Sequence, residues 1–274
     1  MSLSIAHIEQ GTLLHHYTSI EKALSMLESG QIWLSSMSNV NDPKEFSDWD
    51  LSYIFERNKI SVNDWDAISI AISKESKRIS KISCFTEDTL THHTSPMSRY
   101  VEFGCIGRGF ANSPMWHFYG EKHTGCCLIF DKSRLIHEFE NQTMEYTSHS
   151  NSVKYIDDKL PRKIGSEPYC FELENVHEHS IAQYTKQFLS TRYIDLYFKK
   201  QSVWSYENEY RFYVIDDSIG PFKLNFGNAL SYICFGVDCN ENDKKKIREF
   251  THKHNFSTQE IIFKNHTVQV RMEF

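Results

Sequence analysis

The sequence predicts an α+β fold, with a mixed, mostly antiparallel sheet and helices around it. Three observations carry this. Short apolar, strand-like runs recur along the chain, bounded by polar and turn-forming residues. Only a few segments show the period of an amphipathic helix. The two kinds of segment do not alternate regularly, which argues against a βαβ array. At the far end, Ser257 to Lys264 and Thr267 to Phe274 form a closing strand pair around Asn265-His266.

The chain is organised around Leu13 to Ser36. Leu13 to Tyr17 is short, apolar and aromatic, as suits a buried strand. Thr18 reads as the N-cap of a helix, with Glu21 completing a capping box. Ile20, Ala23, Leu24 and Leu27 recur at helical spacing. Gly30 suits the left-handed residue that closes a helix. Ile32, Trp33 and Leu34 resume as a strand. His16 is thereby placed at a strand end, just before a helix N-terminus. Backbone N–H groups and a partial positive charge gather there and suit an anionic or ribose-bearing ligand. The plain alternative is that His15 and His16 alternate across an ordinary strand, one of them a hydrogen-bonded core histidine.

Ser38 to Phe46 reads SNVNDPKEF, a turn-rich loop whose Asp42 and Glu45 suit a pocket rim. A helical region is expected from about Ser47 to Ile79, broken near Asn58 to Asn63. A buried strand follows over Lys81 to Thr86. Glu87 to Asn112 has no clear period and suits a lid or recognition loop, with a short strand around Val101 to Ile106. Its glycines lack the spacing of a dinucleotide fingerprint. Ser113-Pro114 opens a short helix with a cap and an early proline. Met115, Trp116 and Tyr119 share a face of that helix. Gly125 to Asp131 is a strand, and Asp131 caps a helix reaching Phe139. Glu140 to Ser152 reads as a polar loop, Ser152 to Ile156 as a strand, and Leu173 to Phe198 as mostly helix. In the run that ends FYVI, alternation sets Glu209, Arg211 and Tyr213 opposite Tyr210 and Phe212. Leu230 to Gly236 is a further strand, and Asn240 to His254 a polar helix.

The totals narrow the class. With 274 residues the chain can bury a large core without staples. A net charge of −6 argues against a general nucleic-acid coat protein. Lys199-Lys200 and Lys244 to Lys246 read as solvated basic faces. The 7 cysteines are odd in number and include no CxxC, the usage of a reducing cytoplasm. The first residues show no signal pattern, and no apolar run approaches the roughly 20 residues that span a bilayer. A cytoplasmic protein with no membrane partner is expected.

Few residues carry a chemical signal by themselves. On a strand, Glu207 and Glu209 would point to one side and raise each other's pKa, so they need cations, solvent or a ligand hydroxyl. Arg211 on the same side suits a counterion. The plain alternative is an exposed edge strand with alternating charges. Trp116, Tyr119 and Trp204 suit stacking on a heterocycle, or simply the core. The pairs His177/His179 and His252/His254 lack a third ligand at useful spacing, so no metal site is expected. No GxSxG or P-loop motif is present.

Taken together, seven pieces resemble a widespread bacterial family long catalogued only as a domain of unknown function. They are HYTS (His16 to Ser19), IWLS (Ile32 to Ser35), NDPKE (Asn41 to Glu45), SCF (Ser83 to Phe85), MWHFY (Met115 to Tyr119), GCCLIFD (Gly125 to Asp131) and WSYENEYR (Trp204 to Arg211). That family in turn is similar to the ADP-ribosyltransferase superfamily. The shared features are an opening H-x-T, a helix ending at glycine, and a late Glu-x-Glu.

The resemblance implies a single domain over 1–274, with the split, mostly antiparallel β core of that superfamily. It implies NAD as co-substrate and no metal. His16 would hydrogen-bond the ribose or carboxamide of the nicotinamide half, assisted by Tyr17 and Thr18. Tyr119, or else Trp116, would stack on nicotinamide. Glu209 would hold the ribose 2′-hydroxyl, and Glu207 would orient or deprotonate the acceptor. Ser35 and Ser36 offer an alternative serine-type middle element. A toxin or defence role, a nucleic-acid or protein acceptor, and an antitoxin partner are what the superfamily implies. A non-catalytic nucleotide- or partner-binding module and an NAD-degrading hydrolase stand as alternatives.

Overall fold

The computed structural model describes residues 11–39, 45, 47–54, 62–89, 107–157, 168–172, 176, 178–254, 256–264 and 267–272. It opens with β1 (Leu13–Thr18), α1 (Ile20–Ser29) and β2 (Gln31–Ser36). The strand runs through Thr18, so the cap falls one residue later than expected. Ser19 Oγ accepts the N–H of Lys22 at 3.1 Å, and no capping box forms at Thr18. Gly30 ends α1 with φ 68°, the conformation that favours glycine.

The chain continues with β3 (Ser52–Ile54), α2 (Val62–Ile79), β4 (Ser80–Glu87), α3 (Ser113–Phe118), β5 (Cys126–Asp131) and α4 (Lys132–Gln142). Then come β6 (Ser148–Ser152), β7 (Lys154–Tyr155), β8 (Cys170–Glu172), α5 (Ile181–Tyr197), β9 (Lys199–Lys200) and β10 (Glu209–Ile215). The last elements are β11 (Phe222–Asn225), β12 (Leu230–Phe235), α6 (Glu241–His254), β13 (Ser257–Lys264) and β14 (Thr267–Met272).

The fold is α+β, and its main sheet is mixed and mostly antiparallel. Its order is β11-β2-β4-β1-β5-β12-β13-β14, with β10 pairing β4 and β6. Within it, β12 and β13 run parallel. Two short parallel pairs, β3–β8 and β7–β9, stand apart. The hub is β4. One of its edges pairs with β10 from Ser80↔Ile215 to Thr86↔Glu209. On the other edge, β1 pairs at Thr86 and Glu87, and β2 pairs at Lys81 and Ile82. Ser83, Cys84 and Phe85 lie between these two contacts, where β1 and β2 part and the sheet opens.

Alternation sorts the apolar residues to two faces. Leu14, Phe85, Tyr210 and Phe212 pack against α1, α4 and α6. Ile82, Tyr213 and Ile215 pack against α2 and α5. Leu13 and Tyr17 join Phe110 and Trp116 in a smaller cluster. Glu209 and Arg211 therefore share the face of Tyr213, as their spacing predicts.

Three expectations need correction. Residues 52–54 are strand, not helix, because they pair with distant β8. The Glu140 to Ser152 loop contains β6, an SHSNS strand whose ladder partner is β10. Neither of its faces is fully buried, so no apolar alternation marks it. Helix α5 starts at Ile181, where Ser180 and Gln183 form a capping box. The expected strand at Val101 to Ile106, Asp42, and His177 lie outside the described residues.

Candidate functional site

A cavity of about 270 Å³ lies where β1 and β2 leave β4. It brings together His16, Tyr17, Ser35, Tyr119, Glu207 and Glu209. Trp33, Glu45, Cys84, Lys200 and Arg211 also line it. Three of the residues that the resemblance assigns to ligand contacts lie elsewhere. Trp116 is core: its Nε1–H donates to the Phe110 carbonyl at 2.8 Å, and its ring meets Tyr17 edge-on at 4.9 Å. Thr18 is buried opposite Cys126 of β5. Ser36 Oγ donates to the Lys77 carbonyl at 2.8 Å.

Both histidines are anchored to β4. His15 is fully buried, with Nδ1 bonded to the Thr86 carbonyl at 2.9 Å. His16 reaches into the opened sheet and bonds the Cys84 carbonyl through Nδ1 at 3.1 Å. A carbonyl only accepts, so this contact puts the proton of neutral His16 on Nδ1 and leaves Nε2 as an acceptor. Burial lowers the pKa of each ring, which favours that neutral form. Phe85 packs against the His16 ring at 5.2 Å.

The opposite wall is a buried charge cluster. Arg211 grips Glu209 with two bonds, Nε to Oε1 at 2.6 Å and a terminal nitrogen to Oε2 at 2.9 Å. Its Nη1 donates to the Tyr197 carbonyl at 2.5 Å, and Nη2 forms an ion pair with Glu45 Oε1 at 2.7 Å. Lys200 Nζ lies 2.6 Å from Glu207 Oε2 and 3.4 Å from Glu209 Oε2. Burial works to raise Glu209, yet Arg211 and Lys200 hold it down at about 2. Burial likewise raises Glu45, while Arg211 opposes it. Lys200 is pushed down by burial but ends above its ordinary value, because Glu209, Glu45 and Glu207 surround it. When all are ionised, three carboxylates face two cations.

Local structure explains how these groups arrive. Glu207 does not reach the site by strand alternation. It ends a 3-10 turn over Ser202–Glu207, and Asn208 then takes φ 42° before β10 begins. The Asn208 side chain donates to the Glu87 carbonyl at 2.9 Å, tying the turn to the end of β4. The β7–β9 pair sets the other side. It carries Lys200, and its Tyr155 hydroxyl accepts the Glu209 N–H at 2.9 Å.

Tyr119 donates its hydroxyl to Glu207 Oε1 at 2.6 Å, and burial raises its own pKa. Just beyond it, Glu121, Lys122 and His123 have φ of 49°, 52° and 72°. This is a left-handed turn built from non-glycine residues, disfavoured by about 1–2 kcal/mol each. His123 N–H donates to the Trp116 carbonyl at 3.2 Å, and the His123 carbonyl accepts from Asp238 at 3.1 Å. Gly236 makes room for it, since a Cβ there would lie 2.2 Å from the His123 oxygen.

Sequence reasoning missed Lys200, read as part of a solvated face; it is buried and paired. Lys244 is likewise buried, beside Glu241 and Glu260. Trp33, whose indole is half exposed at the cavity, and Cys84 were not singled out as site residues. Trp204 lies outside the cavity, with Lys200 Nζ 4.8 Å above its ring. Among the described residues, no group of three or more His, Cys, Asp or Glu is placed to hold a metal, and no helix is long and apolar enough to cross a membrane.

Residues 115–212 match a family model described as a protein of unknown function (DUF2971). The match covers Tyr119, Lys200, Glu207, Glu209 and Arg211 and leaves the histidine strand outside it. No curated protein matches the chain.

Proposed function

We propose that this cavity is the active site of an NAD-dependent ADP-ribosyltransferase that acts on a nucleic-acid acceptor or, less readily, a protein. One observation carries the reading. His16 from β1 and Glu209 from β10, far apart in sequence, line one cavity where the sheet opens, with Tyr119 and Glu207 beside them. A toxin or defence role, with an antitoxin as partner, belongs to the same proposal.

The residue types suit the chemistry. The bond from ribose C1′ to the nicotinamide nitrogen breaks, and its electron pair leaves with neutral nicotinamide. Positive charge develops on the sugar, as in glycoside hydrolysis. The acceptor's lone pair forms the new bond to C1′, and its proton passes to Glu207. Glu209, ionised at any ordinary pH, accepts from the 2′-hydroxyl, a contact that strengthens as the charge grows. Its oxygens already hold Arg211 and Lys200. A carboxylate has about four acceptor sites, so one remains for the ribose hydroxyl. His16 Nε2 accepts from a ribose hydroxyl or the carboxamide, and Tyr119 and Trp33 flank the nicotinamide end.

Labelled NAD, incubated with separate RNA, DNA and protein pools, tests this. Label transfer is expected into one pool, and Glu209→Gln should cost roughly a hundredfold or more in rate. No transfer and no loss of NAD would sink the enzyme. A second reading has its own support: Glu209 is already clasped by two cations, as in a structural ion pair. A non-catalytic nucleotide-binding module would leave cellular effects unchanged in Glu209→Gln. Free ADP-ribose without any acceptor would instead indicate a hydrolase.

A further inference from the structure

Outside the bond between Tyr119 and Glu207 runs a row of rings that the cavity does not use. Phe118, at the end of α3, is 63% exposed. Its ring lies 6.3 Å from Tyr206 at a tilt of 37°, and Tyr206 lies 6.2 Å from Trp204 at 39°. His117 extends the row at 5.1 Å from Phe118, and exposed Val203 adjoins Trp204. Each ring is one step from the site. Tyr119 follows Phe118, Glu207 follows Tyr206, and the Lys200 ammonium sits over Trp204.

We propose that Phe118, Tyr206 and Trp204 form a stacking ledge for the unpaired bases of a single-stranded nucleic acid, the acceptor of the transfer. Phe118 is exposed and Tyr206 and Trp204 are half-buried, so the row offers ring surface to successive planar heterocycles, and every base has a face to stack. A duplex hides those faces in its own stack. The chain carries a net charge of −6, so phosphate contacts are few and stacking supplies most of the affinity. The word acceptor rests on the transfer reading; binding of the strand does not.

The full chain is titrated with short labelled RNA and DNA single strands, with a hairpin duplex, and with NAD. Single strands should bind more tightly than the duplex, with a shallow dependence on salt. Phe118→Ala should weaken single-strand binding by about tenfold, while Phe118→Tyr retains it. The thermal shift produced by NAD should be the same in wild type and both variants. The ledge is overturned if wild type binds no single strand, if the duplex binds equally well, or if Phe118→Ala binds like wild type. Loss of the NAD shift in Phe118→Ala would overturn it too, assigning the rings to the adenine of the dinucleotide. Strand binding with no consumption of NAD would leave the ledge standing and remove the transfer reading.

Discussion

Lys200→Met should destabilise the protein strongly at neutral pH and much less in acid. The ammonium lies 2.6 Å and 3.4 Å from the oxygens of two buried carboxylates. At an effective dielectric constant of about 20, these pairs are worth about 6 and about 5 kcal/mol of Coulomb energy. Desolvation of the three charges offsets much of that, so the net loss on deleting one partner is about 3–5 kcal/mol. Methionine keeps the apolar stem and leaves the carboxylates uncompensated. Glu209 titrates at about 2 in the folded chain, below its ordinary 4.5. Its contribution is therefore complete above the ordinary value and is lost as pH falls through the folded one. Removing Lys200 raises the folded value, so the penalty is greatest at high pH and shrinks as protons neutralise the cluster. Urea unfolding of wild type and variant at about pH 7 and about pH 3, one above and one inside the window between the ordinary and the folded value, reads this directly. A penalty under about 1 kcal/mol, or one equal at both pH values, refutes the account.

Two further outcomes follow from other parts of the molecule. Lys122→Gly should raise stability by about 1 kcal/mol, because it relieves a left-handed residue whose side chain is exposed; a lower melting temperature contradicts the strain. Burial lowers the pKa of both His15 and His16 from 6.5, so the unfolded chain binds protons first as pH falls. Stability should decline below about pH 6.5. His16→Asn, which keeps a donor for Cys84 and does not titrate, should flatten that decline, and an unchanged slope in urea titrations counts against it.

Local patterns predicted the local elements. The β1–α1–β2 unit was legible because helix spacing and Gly30 are read within a few residues. The two-residue alternation in β10 likewise placed Glu209 and Arg211 on one face. Elements defined by remote pairing were not legible. Residues 52–54 become strand only through β8, and SHSNS only through β10. Glu207 was assigned to the right neighbourhood for the wrong reason: a tight turn delivers it, and Asn208, a residue type tolerant of left-handed backbone, was the available signal. Lys200 was opaque because a buried lysine and a solvated one look alike without the carboxylates folded around them.

The excess of carboxylates over cations has a consequence for traffic through the cavity. Under the transfer reading, the incoming dinucleotide has a cationic pyridinium at one end and a diphosphate in its middle. A negative pocket draws the first inward and keeps the second at the mouth, so the molecule is oriented before any hydrogen bond forms. Cleavage discharges the ring, and neither neutral nicotinamide nor the anionic remainder is attracted as the intact molecule was. The field that loads the site thus goes quiet at the moment of reaction and does nothing to detain what must leave.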